Sequence, residues 1–197
     1  MTELLTSDEG QTALELARTA IEEYLGSGEV KMPESLPGIP GLPPVFQNNR
    51  GVFVTLNNRS GSRRELRGCI GRPYPVMPLG EAIVISAINA ATEDPRFMPV
   101  TLNELENLEI EVTVLTTPHQ LEARPEELPG KIKVGMHGLI VQKGPYSGLL
   151  LPQVAVENDF DAEEFLGQTC MKAGLFPDAW FESDTEVFAF EGQIFHE

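Results

Sequence analysis

The segment Leu66-Arg67-Gly68-Cys69-Ile70-Gly71 places an arginine and a cysteine two positions apart, and Arg72 follows directly. In a strand, side chains alternate between the two faces, so Arg67 and Cys69 are predicted to share one face. A guanidinium beside a thiol favours the thiolate and lowers the pKa of cysteine from its usual value of about 8.5. The spacing therefore predicts an activated thiol at Cys69. Two alternatives stand beside it: Cys69 fills a tight strand crossing as a small apolar residue, or it contacts a ligand without reacting.

Nucleophilic catalysis by a thiol also requires a base. Among the three histidines, His137 is the best candidate, because His119 follows a proline and His196 lies at the chain terminus. The alternative is a histidine whose nitrogens are satisfied within the fold. Gln153 is a candidate for orienting a carbonyl group of a ligand, or for satisfying backbone groups at a strand end.

Asp94 and Arg96 flank a proline that ends a predicted helix. The residue before a proline avoids helical geometry, so Asp94 is expected in a bend with both charged side chains exposed. One interpretation is an ion pair that locks the loop. The other is an acid catalyst, Asp94, and a ligand-binding cation, Arg96, that both face a cleft.

The arginines are unevenly distributed, since six of the nine fall between Arg50 and Arg72. Such a cluster predicts a local positive site for the phosphate or carboxylate group of a small anionic ligand. The stretch Arg59–Arg64 resembles the exposed turn of a hairpin, where arginines are commonly solvated. Arg67 and Arg72 lie outside that turn and are the better ligand candidates.

The chain is strongly acidic, with 30 Asp and Glu against 14 Lys and Arg and a formal net charge of −16. This charge repels nucleic acids and anionic membrane surfaces, so neither is an expected partner. No stretch approaches the ~20 apolar residues of a membrane span. The first ten residues lack the pattern of a secretory signal, and the two cysteines lack a framework spacing. These features predict a cytoplasmic protein without a disulfide between Cys69 and Cys170.

Motifs for metals and cofactors are missing from the sequence. It contains no CxxC, no HxxxH and no aspartate ladder of the calcium-loop type. The spacing of Gly61, Gly68 and Gly71 matches neither a phosphate loop nor a dinucleotide fingerprint. We therefore expect no metal and no cofactor, although a metal site assembled across the fold from Cys69, His137 and Asp94 stays open.

Hydrophobic patterning predicts an α+β fold with a mainly antiparallel sheet and flanking helices. An amphipathic helix is expected from Ser7 or Asp8 to Leu25, with Gly26 as its stop. A hairpin, a helix and a strand then follow in order, and the second half repeats this order: 51–57, 65–71, 79–92 and 108–114, then 138–142, 149–152, 161–173 and 186–190. This pattern predicts duplicated hairpin-helix-strand units that form two lobes.

The hexapeptide at Leu66 resembles the signature of the AMMECR family, and other segments match the family pattern in the same order. They are Gly51–Leu56, Asp94–Phe97, Ile110–Leu115, His137–Val141, Leu150–Ala155 and Thr169–Leu175. The resemblance runs from about Leu14 to Phe195. It implies a single AMMECR-type domain over residues 1–197. The duplicated pattern predicts lobes 1–130 and 131–197, in which two sheets or one curved sheet enclose a shared cleft.

The same resemblance implies partners, because family members are often encoded beside, or fused to, Memo-like and radical-SAM proteins. The predicted function is therefore a component of a modification pathway. It is either an enzyme or substrate-handling protein with a cleft around Arg67 and Cys69, or a non-catalytic accessory or protein-binding module whose motifs are structural.

Overall fold

The computed structural model describes residues 4–39, 41–59 and 65–197. Most of the hairpin turn predicted at Arg59–Arg64 lies outside these residues. The chain divides into two compact units, Met1–Leu115 with Gln193–Glu197, and Thr116–Gly192. The lobe boundary predicted at residue 130 therefore falls within the second unit.

The fold is α+β, as predicted. The helices are α1 (Ser7–Ser27), α2 (Leu79–Thr92), α3 (Leu102–Leu105), α4 (Leu128–Lys131), α5 (Pro152–Glu157) and α6 (Ala162–Lys172). The strands are β1 (Val52–Asn58), β2 (Glu65–Arg72), β3 (Leu108–Leu115), β4 (His119–Gln120), β5 (His137–Lys143), β6 (Tyr146–Leu150) and β7 (Glu186–His196). None of the helices in the described part of the chain is long and apolar enough to span a bilayer.

In the first unit, β1 lies between β2 and β3 and pairs with both in antiparallel register. Helices α1 and α2 pack together, and their apolar residues form one core with those of β1 and β3. Helix α1 begins at the capping box of Thr6 and Glu9. It ends at Gly28, whose φ of 75° is readily adopted by glycine, and not at Gly26 as predicted.

Helix α2 spans the predicted residues, Leu79–Thr92. Its sequence is apolar almost all round, as expected for a helix that is buried on most sides. It contacts α1, β1 and β2, and ten of its residues are buried. This helix carries the loop in which Asp94 lies.

The second unit repeats the connection of the first. Strand β5 pairs with β6 to form a hairpin, α6 follows, and β7 returns to pair with β5. In the first unit the corresponding order is β1, β2, α2 and β3, so the predicted hairpin-helix-strand repeat is present in both. Helix α5 was not predicted; it begins at Pro152, which lacks the backbone donor that is unpaired at a helix start.

Candidate functional site

The two faces of β2 have different neighbours. A Cβ atom on Gly68 would lie 2.1 Å from the carbonyl oxygen of Ala90, so this face packs directly against α2. Cys69 pairs with Thr55 and lies on the opposite face, as alternation along a strand predicts. The register with β1 shifts between Leu56 and Asn57 and makes Arg67 the extra residue of a bulge, so strict alternation does not extend to Arg67. The glycine is needed at position 68 because a side chain would separate β2 from α2.

Cys69 is partly exposed and has a polar neighbour. Thr55 lies directly opposite on β1, and its hydroxyl donates a hydrogen bond to the Cys69 Sγ at 3.3 Å. Burial nevertheless raises the pKa of the Cys69 thiol, and the Thr55 hydrogen bond and the charge of Arg96 offset this only in part. The prediction of a lowered pKa is therefore wrong: desolvation outweighs the nearby cation.

Arg67 does not direct its charge at the thiol. Its Nε and Nη2 donate to the two carboxylate oxygens of Glu104 at 2.5 and 3.2 Å, and Nη2 also donates to the Met98 carbonyl at 2.9 Å. The bond with Arg67 lowers the pKa of Glu104. The guanidinium of Arg67 is therefore held by a bidentate ion pair with Glu104.

Asp94 is buried, with a side chain only 2% exposed, whereas the Arg96 side chain is 55% exposed. The prediction that both are exposed is wrong for Asp94. Its Oδ2 accepts the backbone N–H of Cys69 at 2.8 Å and the Arg96 Nη2 at 2.7 Å, and its Oδ1 accepts the Arg96 Nε at 2.9 Å and backbone N–H at 3.1 Å. The carboxylate is drawn inward because it satisfies a backbone donor at the edge of β2. This is the loop-locking ion pair that the sequence offered as one interpretation.

These bonds make Asp94 a poor proton acceptor. Hydrogen bonding from the Arg96 side chain holds the pKa of Asp94 far below its usual range, although burial opposes the shift. A carboxylate that accepts four hydrogen bonds has little remaining capacity to take a proton from a substrate.

The ring of Phe97 contacts the guanidinium groups of both Arg67 and Arg96. The Arg67 guanidinium lies 5.8 Å, and that of Arg96 5.5 Å, from the centre of its ring, within range for cation–π contacts. Sequence reasoning identified neither this role of Phe97 nor the roles of Thr55 and Glu104. The cross-strand register of β1 and β2 was the available signal for Thr55.

Arg72 lies at the end of β2 and is half-buried. Its Nε is buried and has no hydrogen-bond partner among the described residues. It therefore stays a candidate for a polar contact that a bound molecule would supply.

His137 and Gln153 belong to the second unit. The His137 Nδ1 accepts the backbone N–H of Lys133 at 3.3 Å, and its Nε2 lies 3.9 Å from a carboxylate oxygen of Glu191. Burial lowers the pKa of His137, so the neutral form is favoured. Gln153 lies half-buried in the first turn of α5. The first unit thus contains Arg67, Cys69, Asp94 and Arg96, whereas the predicted base His137 belongs to the second unit.

Within residues 4–39, 41–59 and 65–197, no group of three or more His, Cys, Asp or Glu side chains has the arrangement of a metal site. Cys69 and Cys170 are both free thiols.

The AMMECR1 family model matches residues 14–195 of this chain. The chain belongs to the AMMECR1 family. A protein of Methanosarcina acetivorans is 55% identical over 194 residues, which cover 98% of this chain and 94% of that protein. A protein of Thermococcus gammatolerans is 54% identical over 189 residues, with 95% and 90% covered.

A solved structure extends the likeness to three dimensions. The crystal structure of the uncharacterized protein PH0010 from Pyrococcus horikoshii superposes with a TM-score of 0.84 at 51% sequence identity. The superposition covers 98% of this chain and 93% of that one. The family resemblance of the motifs is therefore confirmed over nearly the whole chain.

Proposed function

We propose that this AMMECR1-family protein is a non-catalytic binding component of a modification pathway, in which the motif around Cys69 maintains the fold. One observation carries the proposal: the carboxylate of Asp94 is saturated by Arg96 and by the backbone of Cys69. The carboxylate that accepts the Cys69 backbone N–H is therefore a structural group and not a base. A thiol with a raised pKa, beside a carboxylate that cannot take its proton, is a weak nucleophile at neutral pH.

The motif glycines support the same conclusion. Gly68 permits contact with α2, and a Cβ atom on Gly71 would lie 2.2 Å from the ring of Phe53. Both positions exclude a side chain for reasons of packing within the first unit. A packing role accounts for the motif without requiring a reaction.

The family resemblance suggests the partners. Memo-like and radical-SAM proteins, which accompany family members, are the partners that we propose for this chain, in the cytoplasm. A binding component would present a substrate or a partner to such an enzyme.

A second candidate function is the handling of a small anionic ligand. The partial exposure of Cys69 and the 55% exposed guanidinium of Arg96 favour it. In this alternative Arg96 would pair with the anionic group of the ligand, and the buried Nε of Arg72 would supply a further polar contact, both within the first unit.

Alkylation of Cys69 distinguishes the two functions. We expect iodoacetamide to modify native Cys69 at neutral pH more slowly than it modifies glutathione, with Cys69→Ser as the background control. Modification faster than that of glutathione would contradict the non-catalytic proposal. A thermal shift with phosphate or citrate that Arg96→Gln abolishes would support ligand handling; we expect none.

Cellular function is the complementary measurement. The gene is replaced by the Cys69→Ser variant in a host that requires it, and binding to purified Memo-like and radical-SAM proteins is measured in parallel. We expect the Cys69→Ser variant to retain both the cellular function and the binding to these partners. Loss of function by a folded Cys69→Ser protein would favour the enzymatic alternative.

A further inference from the structure

The second unit contains an open groove of about 400 Å³ between α6 and the segment that follows it. Its apolar lining residues are Phe160, Gly167, Pro177, Trp180 and Phe181. A Cβ atom on Gly167 would lie 3.3 Å from the Pro177 carbonyl oxygen, so the glycine allows the segment to lie close to α6. The groove is thus built by close packing within one unit.

Two aromatic rings form one wall of this Trp180 groove. The ring centres of Trp180 and Phe181 are 3.8 Å apart, and the planes are inclined at 31°. Trp180 is buried, whereas Phe181 is 51% exposed. A large aromatic residue half in water is costly to leave uncovered, and such residues are enriched where proteins bind one another.

Acidic side chains surround the aromatic wall. Glu163, Glu164 and Asp178 line the groove, and none of its described lining residues is basic. All three are exposed. Glu164 also accepts the backbone N–H of Asp161 in the cap of α6. An apolar floor with an acidic rim favours a ligand that is apolar at its centre and positive at its ends.

We infer that the Trp180 groove binds a short segment of a partner protein that carries an apolar or aromatic anchor flanked by Lys or Arg. This inference rests on the proposed binding function and names the surface and the chemistry of the partner. The anchor packs on Trp180 and Phe181, and the flanking cations pair with Glu163 and Asp178. A guanidinium also stacks favourably on the exposed ring of Phe181.

Charge argues against two other occupants. A second copy of this chain carries the same net charge of −16 and is repelled at long range. Nucleic acid is repelled by the acidic rim for the same reason. An open groove also leaves a small molecule largely in water, whereas an extended peptide covers its length.

Selection from a library of short random peptides without tryptophan tests the inference on the full chain. We expect the enriched sequences to combine an aromatic or large aliphatic residue with flanking Lys or Arg. A synthetic peptide of that sequence should change the fluorescence of Trp180, the only tryptophan in the chain, in a saturable manner. Its affinity should fall as salt is raised.

Matched variants locate the binding. Glu163→Lys should weaken the selected peptide about tenfold or more, whereas Glu157→Lys, an exposed charge reversal on α5, should not. Phe181→Asp should abolish binding, whereas Phe176→Asp should not, because Phe176 is 80% exposed but lines a different hollow. Circular dichroism verifies that each variant is folded.

Three outcomes would overturn the inference: no enriched peptide, enriched peptides without basic residues, or equal binding by Glu163→Lys and the unaltered protein. None of these bears on the alkylation of Cys69. If the groove binds no such peptide but Cys69 is alkylated slowly, the proposed binding function would still hold at another surface. Rapid alkylation of Cys69 would instead contradict the proposed function itself.

Discussion

The carboxylate of Asp94 lies 2.8 Å from the backbone nitrogen of Cys69 and closes the outer edge of β2. This contact joins the motif strand β2 to the loop after α2, through Cys69 and Asp94. A strand edge with an unpaired donor is a site of aggregation unless another group covers it. Arg96 then neutralises the buried charge, so the pair acts as a clamp on the loop after α2.

Replacing Asp94 tests this clamp. Asp94→Asn keeps the shape but loses the charge, and we expect it to lower the free energy of unfolding by about 1–3 kcal/mol at neutral pH, measured with urea. Asp184→Asn is the control, because Asp184 pairs with Lys143 on the surface and should matter much less. Equal stability of Asp94→Asn and the unaltered protein would refute the clamp.

The pH dependence of the same comparison follows from the direction of the Asp94 pKa shift. Because the folded-state pKa is depressed, the stabilisation is complete above the unfolded-state pKa of about 3.9. It is lost as the pH falls further, through the folded pKa. The difference in the free energy of unfolding between the unaltered protein and Asp94→Asn should therefore be constant from pH 7 to about 5 and shrink below about 4.

Gly68 provides a test of close packing between β2 and α2. Gly68→Ala forces a methyl group against the Ala90 carbonyl, and we expect a loss of about 1–3 kcal/mol in the free energy of unfolding. Gly130→Ala is the matched control, because nothing lies within 4 Å of its added methyl group and alanine favours the helix. A Gly68→Ala protein as stable as the control would contradict this packing.

A double-mutant cycle measures the pairing of Arg67 with Glu104. We expect Arg67→Gln and Glu104→Gln to be coupled by about 1 kcal/mol, because the pair is bidentate and Arg67 is only 14% exposed. The same cycle on Arg124 and Glu127, an exposed pair, should give a smaller coupling. Coupling no greater than that of the exposed pair would show that Arg67 is available to a ligand.

The periodicity of the sequence was sufficient to predict the main elements. Helix α2 has its predicted ends because its apolar run is continuous and Pro95 follows it. Helix α5 was missed because Leu151 and Pro152 were assigned to the preceding strand. Six residues make too short a segment for helical periodicity to be recognised.

The side-chain partners were harder to predict than the elements. Alternation alone predicts a shared face for Arg67 and Cys69, but the bulge at Arg67 interrupts that alternation. The pKa of the thiol depends on burial, which one strand does not specify. Asp94 was expected in water because its position after a helix is usually exposed. Its burial follows from a backbone donor 25 positions earlier in the chain, a contact that local sequence does not reveal.

His137 gives a last test, in the second unit. Burial depresses its pKa in the folded protein, so the neutral form stabilises the fold and this contribution is complete above the unfolded-state value of about 6.5. Stability should fall as the pH drops from about 6.5 through the folded pKa, by at most ~1.4 kcal/mol per pH unit. His137→Asn places an acceptor near the Lys133 amide and does not titrate, so this part of the pH dependence should disappear in the variant. The measurements are urea denaturation of both proteins between pH 5 and 8 and an NMR titration of the His137 imidazole. A folded-state pKa of His137 above the unfolded-state pKa would contradict the argument, because the fold would then prefer the imidazolium.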